Sequence, residues 1–352
     1  MQSTASHKYY LDFLRIFAIL CIIYNHTNSR GYFLYADTIN PVYKFLSMML
    51  GCLISVGVPI FFMISGALLL QKEESFTTLF RNRVVRILLV LFLFSILQYL
   101  FRANLYHDTL SVSSFIKEFL TADIIPSYWF LYAYLIYLLI LPFLRKLVLL
   151  LQPRDMIYLL ILFILSEGVL PLCLLSTNIT LTPYLNIPLV NQIIFYPLFG
   201  YCIDQMPLSK LQNKKYLGAS RLAAIGSLLI MSGVSYARNL PAKSFTTFDH
   251  GLLTGAFSGI CAICIFYWAK LHITSIAPQS IHAKVILALS SCTFGVYLLE
   301  SLIRIPTRSF EISLAKSIGD FPACLLWVCF IFLITSAITF LLKCIPGIKK
   351  LL

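Results

Sequence analysis

Charged residues are what this sequence has least of. Only 12% of its 352 residues are charged and 59% are apolar, whereas about a quarter of a soluble domain is charged. Glycine and proline, with 15 of each, are too few for a low-complexity chain. These shortages exclude a soluble globular protein and a disordered one. A mean hydropathy of +0.87 indicates a polytopic membrane protein whose partner is the lipid bilayer.

Cysteines are absent from the middle of the loops, where exported proteins use disulfides. All ten lie inside apolar segments or at their ends. Cys261 and Cys264 form a CxxC motif, but it lies in an apolar segment without partner ligands, so we interpret both as packing residues. The sequence predicts no metal site and no permanently bound cofactor.

Long apolar segments fill most of the chain. A spanning helix needs about 20 mostly apolar residues. We therefore predict an all-α polytopic membrane protein with about ten transmembrane helices, built as one integral-membrane domain over residues 1–352. The predicted spans are 9–28, 45–70, 84–102, 128–145, 156–175, 187–204, 217–236, 250–269, 285–303 and 320–343.

The basic residues are distributed unevenly between the loops. With the N-terminus inside, seventeen lysines and arginines fall on the inner side and nine on the outer side. Because cytosolic loops of membrane proteins carry the excess of Lys and Arg, this asymmetry predicts that both termini are cytosolic. It also explains the net charge of +13 without a nucleic-acid partner.

Three charged or titratable residues, Asp12, Arg15 and His26, lie inside the first predicted span. A charged group at the centre of a membrane helix costs about 2.5–3.5 kcal/mol, so each needs a reason. Arg15 and His26 are eleven residues apart, which at 100° per residue puts them on one helix face about 16 Å apart along the axis. Asp12 can pair with Arg15 one turn away. The alternative is that Arg15 reaches to the inner interface and His26 only caps the outer end.

Two further features lie at the inner side. In the second span, Pro59 is expected to kink the helix, and Ser65–Gly66 is either a notch for close helix packing or part of a site. Arg83 and Arg86 precede the third span and are neighbours at i and i+3. Arginine forks suit phosphate groups, but the positive-inside rule alone would also supply such a pair.

The outer side carries aromatic residues and one acid. The fourth span opens with Tyr128, Trp129, Tyr132 and Tyr134. They predict either an interfacial aromatic belt or a platform for a sugar ring. Glu300 lies in the outer half of the ninth span, one turn after Tyr297, and needs a partner or a wet cavity.

Together these stretches resemble the membrane-bound acyltransferase family 3 proteins, which O-acylate cell-surface carbohydrates. The resemblance rests on "LDFLRIFAILCIIYNH", "VPIFFMISGALLL", "RVVRI", "YWFLYAYLIYLLILP" and "TFGVYLLES". The Arg-x10-His spacing, combined with the arginine pair before the third span, is its most specific part. A core of ten spans is also similar to this family.

The resemblance implies an enzyme of the cell membrane that takes an acyl group, most often acetyl, from cytosolic acyl-coenzyme A. The acceptor would be a hydroxyl of a surface or lipid-linked carbohydrate in the cell envelope. His26 matches the essential histidine, as general base or acyl relay, and Arg15 matches its paired arginine. Arg83 and Arg86 match the arginines that hold the coenzyme A phosphates or gate the entry of coenzyme A.

Two supporting positions and one departure complete the resemblance. Trp129 matches an aromatic position near the outer pocket, and Ser65 falls on a recurrent, structural Ser-Gly. Many relatives carry a histidine where this chain has Glu300, so the role of that position is open. A transporter or a structural subunit of a polysaccharide export or synthesis system remains an alternative. A transporter would show matching broken helices in two repeats, and the sequence has none.

Overall fold

The structure, a computed structural model, describes residues 7–38, 40–174, 177, 182, 185–239, 255–273 and 279–352. Every regular element within these ranges is a helix, which confirms the all-α prediction. The longer helices are α1 (Tyr9–Asn25), α2 (Pro41–Ile54), α3 (Gly57–Leu69), α4 (Val85–Tyr106), α5 (Val112–Thr121), α6 (Trp129–Leu150), α7 (Pro153–Ile164), α8 (Gln192–Gln205), α9 (Lys214–Asn239), α10 (Ala256–Ile273), α11 (Ile281–Arg304), α12 (Arg308–Ile318) and α13 (Asp320–Leu342).

Eight helical stretches of the described chain are long and apolar enough to cross a membrane. They correspond to eight of the ten predicted spans, so the chain is a multi-pass membrane protein. The other two predicted spans, 9–28 and 187–204, are the shorter helices α1 and α8, with 17 and 14 residues. The first residues of predicted span 250–269 lie outside the described residues, and α10 begins at Ala256. A count of ten spans therefore stays a prediction.

Helix α1 is at the centre of the bundle. It contacts α3, α10, α11 and α13, and its apolar residues Leu14, Ala18 and Ile19 are fully buried. Most of the helix is buried, although Phe13 is 40% exposed, and a helix that is apolar on most faces belongs in a core. A charged or polar residue on α1 must therefore find its partner within the protein.

Helices α3 and α8 touch backbone to backbone. A Cβ atom added to Gly66 would lie 1.9 Å from the carbonyl oxygen of Pro197, and one added to Gly200 would lie 2.0 Å from that of Met63. Only glycine allows this approach. The Ser65–Gly66 pair is thus a packing notch, and the Ser65 hydroxyl donates to the Phe61 carbonyl within its own helix.

The second predicted span is broken one turn before its proline. Helix α2 ends at Ile54 and α3 begins at Gly57, so Pro59 lies in the first turn of a new helix instead of kinking a continuous one. A proline ring clashes with the carbonyl of the residue four positions earlier, here Ser55, which explains the position of the break.

Side-chain contacts define two ends of the bundle. At the Lys8 end, Lys8 donates to Asp204 at 2.7 Å and Gln205 donates to Gln71 at 3.0 Å. At the opposite, His26 end, Arg30 forms a buried ion pair with Glu311 at 2.5 Å. The Lys8 end and the His26 end are thus the two opposite ends of the bundle. Our sequence-based prediction makes the Lys8 end cytosolic.

Candidate active site

A buried ion-pair network surrounds His26 at the end of α1. The His26 Nδ1 atom lies 2.9 Å from Oε1 of Glu300. The other carboxylate oxygen, Oε2, accepts a hydrogen bond from Nε of Arg304 at 2.8 Å. Glu300 is buried, whereas the His26 side chain is 21% exposed. Its second ring nitrogen, Nε2, has no hydrogen-bond partner among the described residues.

The helix geometry explains why these three residues meet. Glu300 and Arg304 are four residues apart on α11, so their side chains are neighbours on one face. Helices α1 and α11 run parallel, because Asp12 contacts Ser290 at 2.9 Å while His26 contacts Glu300 further along both chains. A carboxylate on Nδ1 fixes the tautomer that carries its hydrogen there, which leaves the Nε2 lone pair available.

A layer of neutral hydrogen bonds holds α11 beside this network. Gln98 of α4 donates to Ser301 Oγ at 2.7 Å and to the Leu298 carbonyl at 3.1 Å. The Tyr128 hydroxyl donates to the same carbonyl at 2.8 Å. The Tyr297 hydroxyl donates to the backbone of Ser127, so this tyrosine connects α11 to the start of α6. These bonds fix the helix that presents Glu300.

Arg15 pairs with Asp12, as predicted, but it lies at the Lys8 end, away from His26. Its Nη1 atom donates to Asp12 Oδ1 at 2.6 Å. Asp12 also accepts from Ser290 and lies 2.5 Å from Nε2 of His7. Because α1 is continuous from Tyr9 to Asn25, Arg15 and His26 remain separated along its axis.

Arg83 is held by an acid that sequence reasoning passed over. Its Nε atom lies 3.1 Å from both oxygens of Glu74, and Arg145 donates to the same carboxylate at 2.8 Å. Burial pushes the pKa of Glu74 upward, but the hydrogen bonds and charges of Arg83 and Arg145 outweigh it and hold this pKa below its usual value. The terminal nitrogens of Arg83 have no partner among the described residues.

Arg86 binds backbone instead of an acid. Its Nε and Nη2 atoms donate to the Leu351 carbonyl at 3.1 and 3.0 Å. Arg83 lies in a π-helical turn, Phe80–Val84, a local widening that is frequent at functional sites. The Tyr134 phenol lies beside Ser65 and within electrostatic range of Arg15, Arg83 and Arg86. Tyr134 therefore lies near all three arginines.

The predicted outer aromatic residues do not form a single group. Trp129 is 41% exposed and packs edge-on against Phe130, without contacting His26. Tyr128 is buried, Tyr132 donates to the Phe119 backbone, and Tyr134 belongs to the arginine cluster. These four residues therefore have different surroundings, and the interfacial belt and the sugar platform both stay predictions.

The structure adds four residues to the sites that the sequence predicted, namely Glu74, Gln98, Arg145 and Arg304. Of these, Arg304 had a readable signal, because it lies one helical turn after Glu300. Glu74 is only nine positions from Arg83, whereas the contacts of Gln98 and Arg145 join distant parts of the chain. Within the described ranges, no group of three or more His, Cys, Asp or Glu residues could hold a metal ion.

Comparison with known proteins agrees with this arrangement at the level of the family. The chain matches the model of acyltransferase family 3, described as an acyltransferase domain, over residues 8–344. No curated protein and no solved structure gives a significant match. Since the match extends over nearly all of the chain, the protein belongs to acyltransferase family 3 and is a membrane acyltransferase.

Proposed function

We propose that the protein moves an acyl group, acetyl in the first instance, from cytosolic acyl-coenzyme A to a hydroxyl of a surface or lipid-linked carbohydrate. His26 acts as the general base in this proposal. The observation that carries it is the His26 network: Nδ1 contacts a buried carboxylate, while Nε2 has no protein partner in the described part of the chain. This is the arrangement in which an imidazole takes a proton from an alcohol.

In the proposed reaction, the acyl group moves from the sulfur of coenzyme A to the acceptor oxygen. Nε2 takes the hydroxyl proton as the acceptor oxygen attacks the thioester carbonyl. The carbon–sulfur bond breaks, and the imidazolium returns the proton to the departing thiolate of coenzyme A. Glu300 stabilises the transient positive charge on the ring, and the hydrogen bond from Arg304 holds the Glu300 carboxylate in place.

The Lys8 end supports the donor side of the proposal. Arg15, Arg83 and Arg86 lie close enough to Tyr134 to act on it electrostatically, so one region concentrates several guanidinium groups near the predicted cytosolic face. The free terminal nitrogens of Arg83 suit a phosphate of coenzyme A, because guanidinium forks bind phosphate oxygens in pairs. The pantetheine arm would then reach between the helices toward His26.

Replacement of His26 tests the catalytic step. We expect His26→Asn to abolish acyl transfer from labelled acetyl-coenzyme A by the purified protein, and O-acylation of surface glycans in cells, as measured by mass spectrometry. A matched control is His107→Asn, since His107 is an exposed histidine with a left-handed backbone that asparagine tolerates. Unchanged O-acylation at equal amounts of the His26→Asn protein would contradict the proposal.

Replacement of the arginines tests the donor site separately. Binding of labelled acetyl-coenzyme A should weaken by about tenfold or more when Arg83 or Arg86 becomes alanine, because charge-assisted hydrogen bonds are lost. Arg154→Ala is the control, since the Arg154 side chain is 80% exposed. Undiminished affinity in both variants would mean that Arg83 and Arg86 contribute only to the positive charge of the cytosolic loops.

A further inference from the structure

A cavity of about 370 Å³ lies next to the His26 network, at the His26 end of the bundle. Its lining includes Thr27 and Asn28, which directly follow His26, and Arg304, which holds Glu300. The volume is at the lower end of the range for small-molecule sites, about 300–1,000 Å³. A molecule in this cavity would therefore lie beside the proposed base.

The lining is strongly basic. Three arginines, Arg102, Arg304 and Arg308, line the cavity, and no aspartate or glutamate does. Their positions on two separate helical segments, α4 and the α11–α12 region, mean that the fold brings the charges together. Two of these charges are compensated by carboxylates, since Arg102 pairs with Glu118 and Arg304 with Glu300. The cavity therefore keeps an excess of positive charge at Arg308, which favours a ligand of opposite charge.

Two of these guanidinium groups have donors to spare. Arg304 uses Nε for Glu300, and its terminal nitrogens have no partner among the described residues. Arg308 is exposed, and its side chain forms one hydrogen bond to the described residues, a 3.5 Å contact from Nη2 to Ser29 Oγ. Arg102 is different, since it pairs with Glu118 at 2.6 Å. Arg304 and Arg308 are thus the groups that can bind an added anion.

The remaining lining suits a ring-shaped, partly apolar molecule. Phe101, Leu105, Ile125 and Trp327 contribute apolar surface. The Trp327 indole nitrogen is already bonded to Thr307 at 2.9 Å, so the ring is fixed in place. An apolar wall next to uncommitted arginines matches a sugar ring that carries an acidic group.

We propose that this cavity binds the carboxylate or phosphate group of an acidic carbohydrate, and that the acceptor of the acyl group belongs to this chemical class. The inference rests on the proposed function, because that function makes a carbohydrate hydroxyl the acceptor. It adds the charge of the acceptor, which the family does not specify. A neutral sugar would leave the Arg308 guanidinium, which forms no ion pair within the described residues, without an anion at this site.

Binding of simple probes to the purified full-length protein tests the proposal without any acyl donor. By isothermal titration calorimetry, glucuronate and glucose 1-phosphate should bind about tenfold or more tightly than glucose, with affinity that falls as salt is added. Arg308→Gln should remove about tenfold of that affinity. Lys316→Gln is the matched control, since Lys316 is exposed on α12 but does not line the cavity.

Three outcomes would overturn the inference. Equal affinity for glucose and the two acids would show that charge is not recognised. An unaltered affinity in Arg308→Gln would place binding elsewhere. Glycerol 3-phosphate binding as tightly as glucose 1-phosphate would make the cavity a site for phosphate alone, such as a lipid headgroup. Since the His26→Asn variant should still bind the acids, loss of transfer without loss of binding would separate failure of the proposed function from failure of this inference.

Discussion

Glu300 is the residue whose interpretation the structure changes most. The sequence showed it only as a carboxylate at a position where relatives carry a histidine. In the structure it is buried between His26 and Arg304 and contacts both. Removing one partner of a buried ion pair costs about 3–5 kcal/mol, so this acid cannot be a neutral replacement. We interpret Glu300 as the residue that positions His26.

The change Glu300→Gln should separate positioning from folding. Glutamine keeps the size of the side chain but loses the charge that stabilises the imidazolium, so kcat should fall by about 10²–10⁴. The KM for acyl-coenzyme A should stay unchanged, because the predicted donor site is at the other end of the bundle. The measurement is steady-state transfer over a range of acyl-coenzyme A concentrations, which gives kcat and KM separately.

Glu73→Gln provides the comparison, since Glu73 is an exposed acid of the same type. A Glu300→Gln protein that remains folded and keeps the wild-type kcat would contradict the positioning role.

At the scale of the helices, one glycine limits how closely α3 and α8 approach. We expect Gly66→Ala to destabilise the protein by about 3 kcal/mol, the upper end for overpacking, because the backbone of Pro197 occupies the place of the new methyl group. Thermal unfolding in detergent, followed with a thiol-reactive dye, measures this through buried cysteines such as Cys21 and Cys52.

The matched control for this change is Gly226→Ala in α9. No atom lies within 4 Å of an added Cβ there, so the substitution should be neutral or stabilise by about 0.5–1 kcal/mol. Equal unfolding temperatures for the two variants would mean that α3 and α8 are not in backbone contact.

The loop between α3 and the π-helical turn should make stability depend on pH. Because Arg83 and Arg145 hold the Glu74 pKa below its unfolded value of about 4.3, this group stabilises the fold above that pH. Its contribution is lost as the pH falls through the lower, folded pKa. The unfolding temperature of Glu74→Gln should therefore lie below that of the native protein at pH 7. The difference should shrink as the pH falls below the unfolded value of about 4.3 and should close below the folded pKa.

A gap that persisted at low pH would show that Glu74 acts through its shape and not its charge. Glu73→Gln, which removes an exposed acid from the same loop, should show no comparable gap at any pH.

At the scale of the whole molecule, the residues proposed for donor binding and the residue proposed for proton transfer lie at opposite ends of the bundle. The guanidinium cluster lies near Lys8 and Asp204, and the imidazole lies at the far end of α1. A donor bound at one end and an acceptor at the other meet only if the thioester passes between helices. Such a division suits an enzyme that joins a cytosolic substrate to one on the opposite face.

Two native cysteines can test the orientation of this arrangement. Cys173 and Cys344 are both exposed, and the charge asymmetry places Cys173 outside and Cys344 in the cytosol. A membrane-impermeant maleimide added to intact cells should label Cys173, while Cys344 should react only after permeabilisation. The variants Cys173→Ser and Cys344→Ser identify each signal by its loss, and the reverse pattern would overturn cytosolic termini.

Hydropathy was sufficient to predict the helices, because each long span carries its own signal of about 20 apolar residues. It overestimated the lengths of α1 and α8, because the predicted spans 9–28 and 187–204 included polar or irregular ends. The partner of Arg15 was also readable, since Asp12 lies one turn away on the same helix. The sequence alone could therefore predict this contact between two residues one turn apart on the same helix.

The sequence by itself determined the membrane, the helical class and the Asp12–Arg15 pair, and it singled out His26 as a candidate. Only the tertiary structure decided what His26 contacts, because Glu300 lies 274 positions further along the chain. The same holds for the cavity of Arg102, Arg304 and Arg308, which forms where separate helices meet. Hydropathy and helical periodicity are local properties, whereas an ion pair between α1 and α11 follows from how whole helices pack, and no local pattern encodes that.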